Sequence, residues 1–259
     1  MTAADWIVER IHSFAVDVGS VVPEGFAAYA RLFHPASKPK GDAEVPVSWS
    51  EVAAGRGRTV HPEMQWANIA GAEFHELSPD PELWERGPRV AYLPRPYAQR
   101  LAALLEPHTS TPGRVWFAVW DGWGGLTSDF QATAFSNPEN RRWSLLRGPA
   151  PWFRIQKTRT RLSAPTFHLP ARDYYLFEGQ LDAISTSFDV APLWIPAQLW
   201  WPDDRAWCVA TEIDLAWTYL GGTEECVKAV LADSEIEALA TETEHGIRSD
   251  SDDINPAPL

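Results

Sequence analysis

The amino-acid sequence predicts an α+β fold, in which a single domain contains a largely antiparallel sheet flanked by several helices. Three observations support this class. Strand patterns and helical patterns are interspersed without the regular β-α-β alternation that a parallel sheet requires. The chain has 259 residues and no internal repeat, which suits one large domain. Hydrophobic residues make up 45% of it, enough to form a sizeable core.

Strand patterns occur at four places along the chain. The segment FAAYARLFHP is typical of a strand that ends at Pro35. Residues 115–120 are apolar on both alternating faces, which predicts a strand in the interior of the sheet. A third strand is predicted from Asp173, in DYYLFEG. A fourth is predicted from Trp207, where the side chains alternate between two faces as far as Asp214.

Three segments are predicted to be helical. Apolar side chains recur at helical spacing over residues 7–18. Pro96 suits the first turn of a second helix, which Pro107 ends. Thr223 and Ser234 each suit a helix cap, so two short helices are predicted in the third segment.

The globular domain is predicted to span residues 1–240. Residues 241–259 are acidic and contain two prolines, so we expect them to form a disordered C-terminal tail.

The composition narrows the classes of function. The net charge of −13 argues against binding to nucleic acid or to anionic membranes and favours a basic protein partner. The two cysteines, Cys208 and Cys226, form neither a disulfide framework nor a zinc cage, which is compatible with a reducing cytoplasm. No stretch is long and apolar enough for a membrane span, and the N-terminus lacks the features of a signal peptide. A cytoplasmic protein is therefore expected.

Several common catalytic motifs are missing from the sequence. It contains no G-x-S-x-G elbow, no P-loop, no H-E-x-x-H and no C-x-x-C. The segment GRGRTV lacks the third glycine of a dinucleotide fingerprint. No cofactor is predicted.

Glu212 and Asp214 are the first candidates for chemistry. Two residues apart on a strand, they would lie on one face, where paired carboxylates can share a cation or act as an acid and a base. Asp203 could add a metal ligand, although after Pro202 it also suits a turn. The favoured interpretation is structural, with the carboxylates in water or paired to arginine, because structural carboxylates are far commoner than catalytic ones.

His108 is a further catalytic candidate, because it precedes the hydroxyl residues Thr109 and Ser110. Neighbours in sequence do not make a catalytic dyad unless their side chains meet in space. The simpler interpretation of His108 is a loop residue.

Four residues are candidates for a binding surface. The chain contains 14 tryptophans, most of which must lie in the core. Trp123, Trp200 and Trp201 adjoin glycine or proline, which favours an exposed position, and Arg205 follows in the same turn.

The stretch from Arg141 to Arg161 is locally basic and also carries aromatic residues. Such a pattern can stack on single-stranded nucleic acid. The overall acidity of the chain favours the alternative, in which this stretch balances acidic surface within the molecule.

The chain resembles a group of uncharacterised actinobacterial proteins. The resemblance rests on YARLFHP, VWFAVWDGWGG, ARDYYLFEG and LWWPDDRAWCVATEIDLAWTYLGG, and extends from about Phe26 to about Leu239. It implies a single cytoplasmic bacterial domain, but no activity and no catalytic residues.

Two hypotheses for the function remain. The first is a non-enzymatic protein-binding module that recognises a basic partner, for example in an immunity or antitoxin-like role. The alternative is a metal-dependent or acid/base hydrolase that uses the carboxylates of residues 203–214.

Overall fold

An eight-stranded sheet organises the fold, and every neighbouring pair of its strands is antiparallel. The computed structural model describes residues 2–123, 131–132, 155–156, 164–185 and 196–257. In chain order, the strands in these ranges are β1 (Ala28–Phe33), β2 (Ala36–Lys40), β3 (Ala43–Val47), β4 (Val115–Trp120), β5 (Gln131–Ala132), β6 (Ile155–Gln156), β7 (Thr166–Leu169), β8 (Arg172–Gly179), β9 (Leu199–Pro202), β10 (Cys208–Ala210), β11 (Trp217–Gly222) and β12 (Ala238–Thr241).

The large sheet has the order β12-β1-β11-β10-β9-β4-β8-β7, while β2 pairs with β3 and β5 with β6. The α-helices in the described ranges are α1 (Asp5–Val8), α2 (Trp49–Gly55), α3 (Trp66–Ala70), α4 (Arg95–Leu105) and α5 (Glu224–Leu231). The predicted class, α+β with an antiparallel sheet, is confirmed. Within the described ranges, no helix has both the length and the apolar character needed to cross a membrane.

Both faces of the large sheet are covered. On one face, Leu101 and Leu105 of α4 and Val227 of α5 pack against apolar side chains of β4, β9 and β11. On the other face, α1, α2 and α3 contribute a layer rich in tryptophan. Strand β4 lies between β9 and β8, and Val115 and Phe117 are buried, so its predicted interior position is confirmed.

The tryptophan layer is a chain of edge-to-face contacts. The rings of Trp49 and Trp66 are 5.3 Å apart between centroids, and those of Trp66 and Trp84 are 5.0 Å apart. Arg31 of β1 is fully buried in this layer, with its guanidinium 3.8 Å from the ring centroid of Trp217. Most of the aromatic residues in the described ranges therefore serve the core, which is what their number predicts.

The helix predicted over residues 7–18 is much shorter than expected. The structure has α1 at Asp5–Val8 and a separate 3₁₀ turn at Val18–Ser20. Ala15 adopts a φ of 54°, in the left-handed region, which no α-helix continues through. Ile11 and Val18 are nevertheless buried, so the apolar spacing reflects burial of an irregular segment rather than one helix.

The second helix predicted after Thr223 is a strand instead. Thr223 caps α5 as expected, by accepting a hydrogen bond from the backbone of Cys226. Residues 238–241, however, form β12, which pairs with β1. The hydrogen bonds between β12 and β1 therefore outweigh the helix-capping signal at Ser234.

Residues 241–257, the described part of the segment predicted to be a disordered tail, pack on the body of the domain. Asp252 and Asn255 are buried, at 7% and 4% exposure. The Asp252 carboxylate accepts hydrogen bonds from the backbone N–H of Gln65 and from the ring of His61. Asn255 bonds to both backbone groups of Thr59. The prediction of disorder, which rested on the acidic composition, was therefore wrong for these residues, because their buried polar groups have specific hydrogen-bond partners.

Candidate functional site

Strand β9 and the turn that follows it contain four of the predicted site residues. Trp200 is 3% exposed and packs edge-to-face on Trp207, beneath the helical layer. Trp201 is 1% exposed and contacts Trp6 and Phe167 in the opposite layer. The exposed position predicted for these two tryptophans is therefore wrong: they lie in β9, and its alternation directs each of them to a different core.

The two aspartates that follow hold the turn in place. Asp203 accepts hydrogen bonds from Trp116 Nε1 at 2.9 Å and from Arg114 at 3.2 Å. Asp204 accepts them from the hydroxyl and backbone N–H of Ser110, both at 2.7 Å, and from Thr109. Burial favours the neutral form of Asp204, but the hydrogen bonds outweigh it, so the pKa of this carboxyl is lowered.

Arg205 and Trp123 are accessible, as predicted, but they lie in different parts of the fold. Arg205 is exposed in the turn, with a φ of 58° and its guanidinium 5.6 Å from the ring centroid of Trp6. Trp123 follows β4 and is half-buried against Trp120. Its indole N–H donates to the side-chain oxygen of Gln198 at 3.3 Å. The described residues around these two side chains do not form a shared site.

Glu212 and Asp214 lie beyond the end of β10, which stops at Ala210. They are therefore not on one face of a strand, as the alternation predicted. They do converge, because the same nitrogen of Arg172 donates to Glu212 at 2.7 Å and to Asp214 at 2.9 Å. Arg172 also lies 4.5 Å from the ring centroid of Phe14. Pairing to arginine was the structural interpretation favoured from the sequence.

The two carboxylates differ in environment. The Glu212 side chain is 10% exposed, whereas that of Asp214 is 72% exposed. Burial raises the pKa of Glu212 even though its hydrogen bonds and charge contact with Arg172 act in the opposite direction. Both line a cleft of about 410 Å³ between the N-terminal segment at Phe14 and the C-terminal segment at Arg248.

Asp203 does not join this pair. It contacts Arg114 at the start of β4, whereas Arg172 lies beyond Trp120 at the other end, because Trp120 pairs with Tyr174. The ends of β4 are about 16 Å apart, at about 3.3 Å per residue. In the described part of the chain, no group of three or more histidine, cysteine, aspartate or glutamate side chains is arranged to hold a metal ion.

His108 lies at the end of a 3₁₀ turn, Glu106–His108, and is half-buried. The neighbouring hydroxyls of Thr109 and Ser110 both donate to Asp204 rather than to the imidazole. Thr109 and Ser110 therefore stabilise the turn after β9 through Asp204. The second surface predicted from the sequence, the basic stretch 141–161, lies outside the described residues apart from the backbone of 155–156.

An acidic groove between α5 and β12 was not predicted from the sequence. It has a volume of about 450 Å³. Its lining includes four exposed charged residues, of which the three glutamates are called the acidic rim below, and several apolar residues: Glu224, Lys228, Glu242 and Glu244, with Ala28, Val227, Leu231 and Ala240. Glu224 and Glu242 are far apart in the chain, so only the pairing of β12 with β1 brings them together.

The sequence did contain part of the signal for this groove. Glu242 and Glu244 alternate after β12 and are exposed, and Glu224 lies in the first turn of α5, where an acidic side chain is favoured. The sequence did not show that these glutamates adjoin one another, because residues 234–240 had been predicted as a helix and not as part of strand β12. Leu231, at 36% exposure, adds an apolar contact point at the groove.

Comparison of the chain with protein-family models, with curated proteins and with solved structures gave no match. Its fold class is that of an α+β domain with an antiparallel sheet covered on both faces.

Proposed function

We propose that the protein is a non-enzymatic binding module whose partner is a basic protein. The observation that carries this proposal is the groove between α5 and β12, which Glu224, Glu242 and Glu244 line together with apolar side chains. Apolar contact area combined with polar and charged side chains is the usual anatomy of a protein–protein interface. The acidic rim selects a partner that carries lysine or arginine.

The charge of the whole chain supports the same conclusion. A net charge of −13 attracts a basic partner over long range and accelerates encounter, while it repels nucleic acid and anionic lipid. Neutralisation of a basic toxin, as an immunity protein or antitoxin performs it, is one concrete form of this role. Cys208 and Cys226 are free and buried, which is compatible with the cytoplasm, the compartment that we propose.

The hydrolase hypothesis has one observation in its favour. Glu212 has a raised pKa and lines a cleft together with Asp214, as an acid/base pair would. Against it, Arg172 holds both carboxylates, so each already has a partner. We therefore assign this cluster a structural role, which the variants in the Discussion test.

Selection of displayed random 12-residue peptides on the immobilised protein tests the binding proposal. We expect the enriched peptides to carry a net positive charge and a recurring apolar residue, because the groove offers both features. Binding should weaken as salt increases, since the rim charges are exposed.

A matched pair of double variants locates the binding surface. Glu224→Lys with Glu244→Lys changes the groove, whereas Glu225→Lys with Glu9→Lys changes exposed glutamates that do not line it. Both variants alter the net charge equally. The groove variant should lose the enriched peptides and the control variant should retain them. Equal loss in both, or enrichment of neutral and acidic peptides, would contradict the proposal.

A further inference from the structure

Strand β12 forms one edge of the large sheet. It pairs with β1 on one side, and in the described part of the chain no strand pairs with its other side. The register shows which of its backbone groups point outward. The N–H of Phe33 donates to the carbonyl of Glu237, so residues 237, 239 and 241 face β1. Ala238 and Ala240 therefore direct their backbone groups away from the sheet.

The pairing of β1 with its other neighbour agrees with this register. The N–H of His34 donates to the carbonyl of Ala216, so the even-numbered residues of β1 bond to β11. The backbone groups of the odd-numbered residues of β1 therefore face β12. The outward direction of Ala238 and Ala240 thus follows from two independent hydrogen bonds.

This edge has few of the features that protect exposed strands from pairing. Natural proteins block such edges with very short strands, proline, charged residues, bulges or a covering segment. Strand β12 is short, at four residues, but its sequence ALAT contains neither proline nor charge. Ala240 is exposed and also lines the acidic groove, so the open edge and the acidic rim are parts of one surface.

We propose that an extended basic segment of the partner adds to β12 as a ninth strand. Its main chain would bond to Ala238 and Ala240, its basic side chains would contact Glu224, Glu242 and Glu244, and the aliphatic stem of one of them would pack beside Leu231. Main-chain pairing supplies affinity in this mode of recognition, and the side chains supply specificity. The inference rests on the proposed function, because it names the form in which the basic partner binds.

A second copy of this chain fits the edge less well than a basic segment. Pairing two β12 edges would bring together two acidic rims, and like charges placed opposite each other across strands are destabilising. The charge of −13 on each copy adds a repulsion over longer range. Charge complementarity therefore selects a basic occupant.

The test uses the full chain and the fluorescent peptide Lys-Val-Lys-Val-Lys-Val-Lys. A second peptide of equal charge carries N-methyl groups on alternate residues, so that the edge facing β12 has no N–H donors. We expect methylation on that edge to raise the Kd measured by anisotropy at least about tenfold, because two or more main-chain hydrogen bonds are lost. Methylation on the opposite edge is the control and should leave the Kd within about twofold, since strand pairing uses one edge of the peptide.

Amide hydrogen exchange provides the second measurement. In the free protein, the amides of Leu239 and Thr241 should be protected by β1, and those of Ala238 and Ala240 should exchange fast. The unmodified peptide should protect Ala240. The variant Ala240→Pro should weaken peptide binding at least about tenfold without unfolding the domain, because this N–H does not pair with β1.

The outcomes separate the inference from the proposed function. If all the peptides bind equally and Ala240 stays unprotected, while Glu224→Lys with Glu244→Lys abolishes binding, strand addition is overturned and the acidic binding module stands. If no peptide binds at low salt, both are overturned. If Ala240 becomes protected as the protein concentration rises without peptide, and the molecular mass doubles, a second copy occupies the edge and the inference is overturned.

Discussion

Arg172 bridges the carboxylates of Glu212 and Asp214, which would otherwise repel each other. It also covers the ring of Phe14, so one side chain joins the N-terminal segment, β8 and the turn after β10. A partly buried cluster of this kind costs free energy in desolvation, and it is tolerated only while each charge has its partner.

The variant Arg172→Met tests the structural role of the cluster. Removing the cation leaves the buried carboxylate of Glu212 without its counter-ion, so the free energy of unfolding should fall by about 3 kcal/mol at pH 7. The pKa of Glu212, already raised, should rise further, so the native state takes up a proton more readily than the unfolded state. The loss should therefore be smaller at pH 5, as measured by urea unfolding at both pH values.

Two further variants complete this test. Arg172→Met with Glu212→Gln should recover part of the lost stability at pH 7, because the unpaired charge is absent. Asp214→Asn should change stability by less than about 0.5 kcal/mol, because Asp214 is largely exposed. An equal loss at both pH values, without recovery in the double variant, would argue against a charge effect.

At the scale of elements, Glu237 connects β12 to α2. Its carboxylate accepts hydrogen bonds from the backbone N–H groups of Trp49 and Ser50, at 2.6 and 2.7 Å. Ser48 caps the same helix through a capping box with Glu51. Helix α2 therefore receives one cap from its own sequence and one from a residue far along the chain, immediately before β12.

Glu237→Ala is expected to lower the free energy of unfolding by about 1–2 kcal/mol, because two N–H groups at the start of α2 lose their acceptor. Urea unfolding measures the change. Glu235→Ala, two residues earlier and exposed, is the control and should stay within about 0.5 kcal/mol. Equal effects of the two variants would show that the cap from Glu237 contributes nothing.

At the scale of the whole molecule, the C-terminal segment closes the domain. Residues 242–257 cross the N-terminal segment at the bridge between Asp17 and Gly246 and end against residues 59–68. Burial raises the energy of the Asp252 carboxylate, but hydrogen bonds from Asn255, Gln65 and His61 outweigh it, so the pKa of Asp252 is lowered.

Asp252→Asn should therefore destabilise the protein by about 1–3 kcal/mol at pH 7. A carboxylate with a lowered pKa contributes stability above its unfolded pKa, near 4, and loses that contribution as the pH falls through its native value. The difference from the unmodified protein should thus shrink below about pH 4. The exposed neighbour Asp253→Asn is the matched control. A difference that is constant with pH would exclude this cause.

The sequence determined those parts of the molecule that depend on local pattern. The antiparallel α+β class, the interior strand Val115–Trp120 and the helix Arg95–Leu105 follow from apolar periodicity and from proline positions. The pairing of Glu212 and Asp214 with an arginine was also anticipated as the favoured interpretation. In these cases the free energy of burial or the fixed φ of proline acts within a few residues.

Features that depend on partners far apart in the chain follow from the tertiary fold. Trp200 and Trp201 are buried because β9 lies inside the sheet, and the acidic tail is ordered because Asp252 meets His61 and Gln65. The acidic groove likewise exists because β12 pairs with β1 beside α5. Hydrogen bonds and charge contacts between residues far apart in the chain leave no periodic trace in the sequence, so the fold alone brings these groups together.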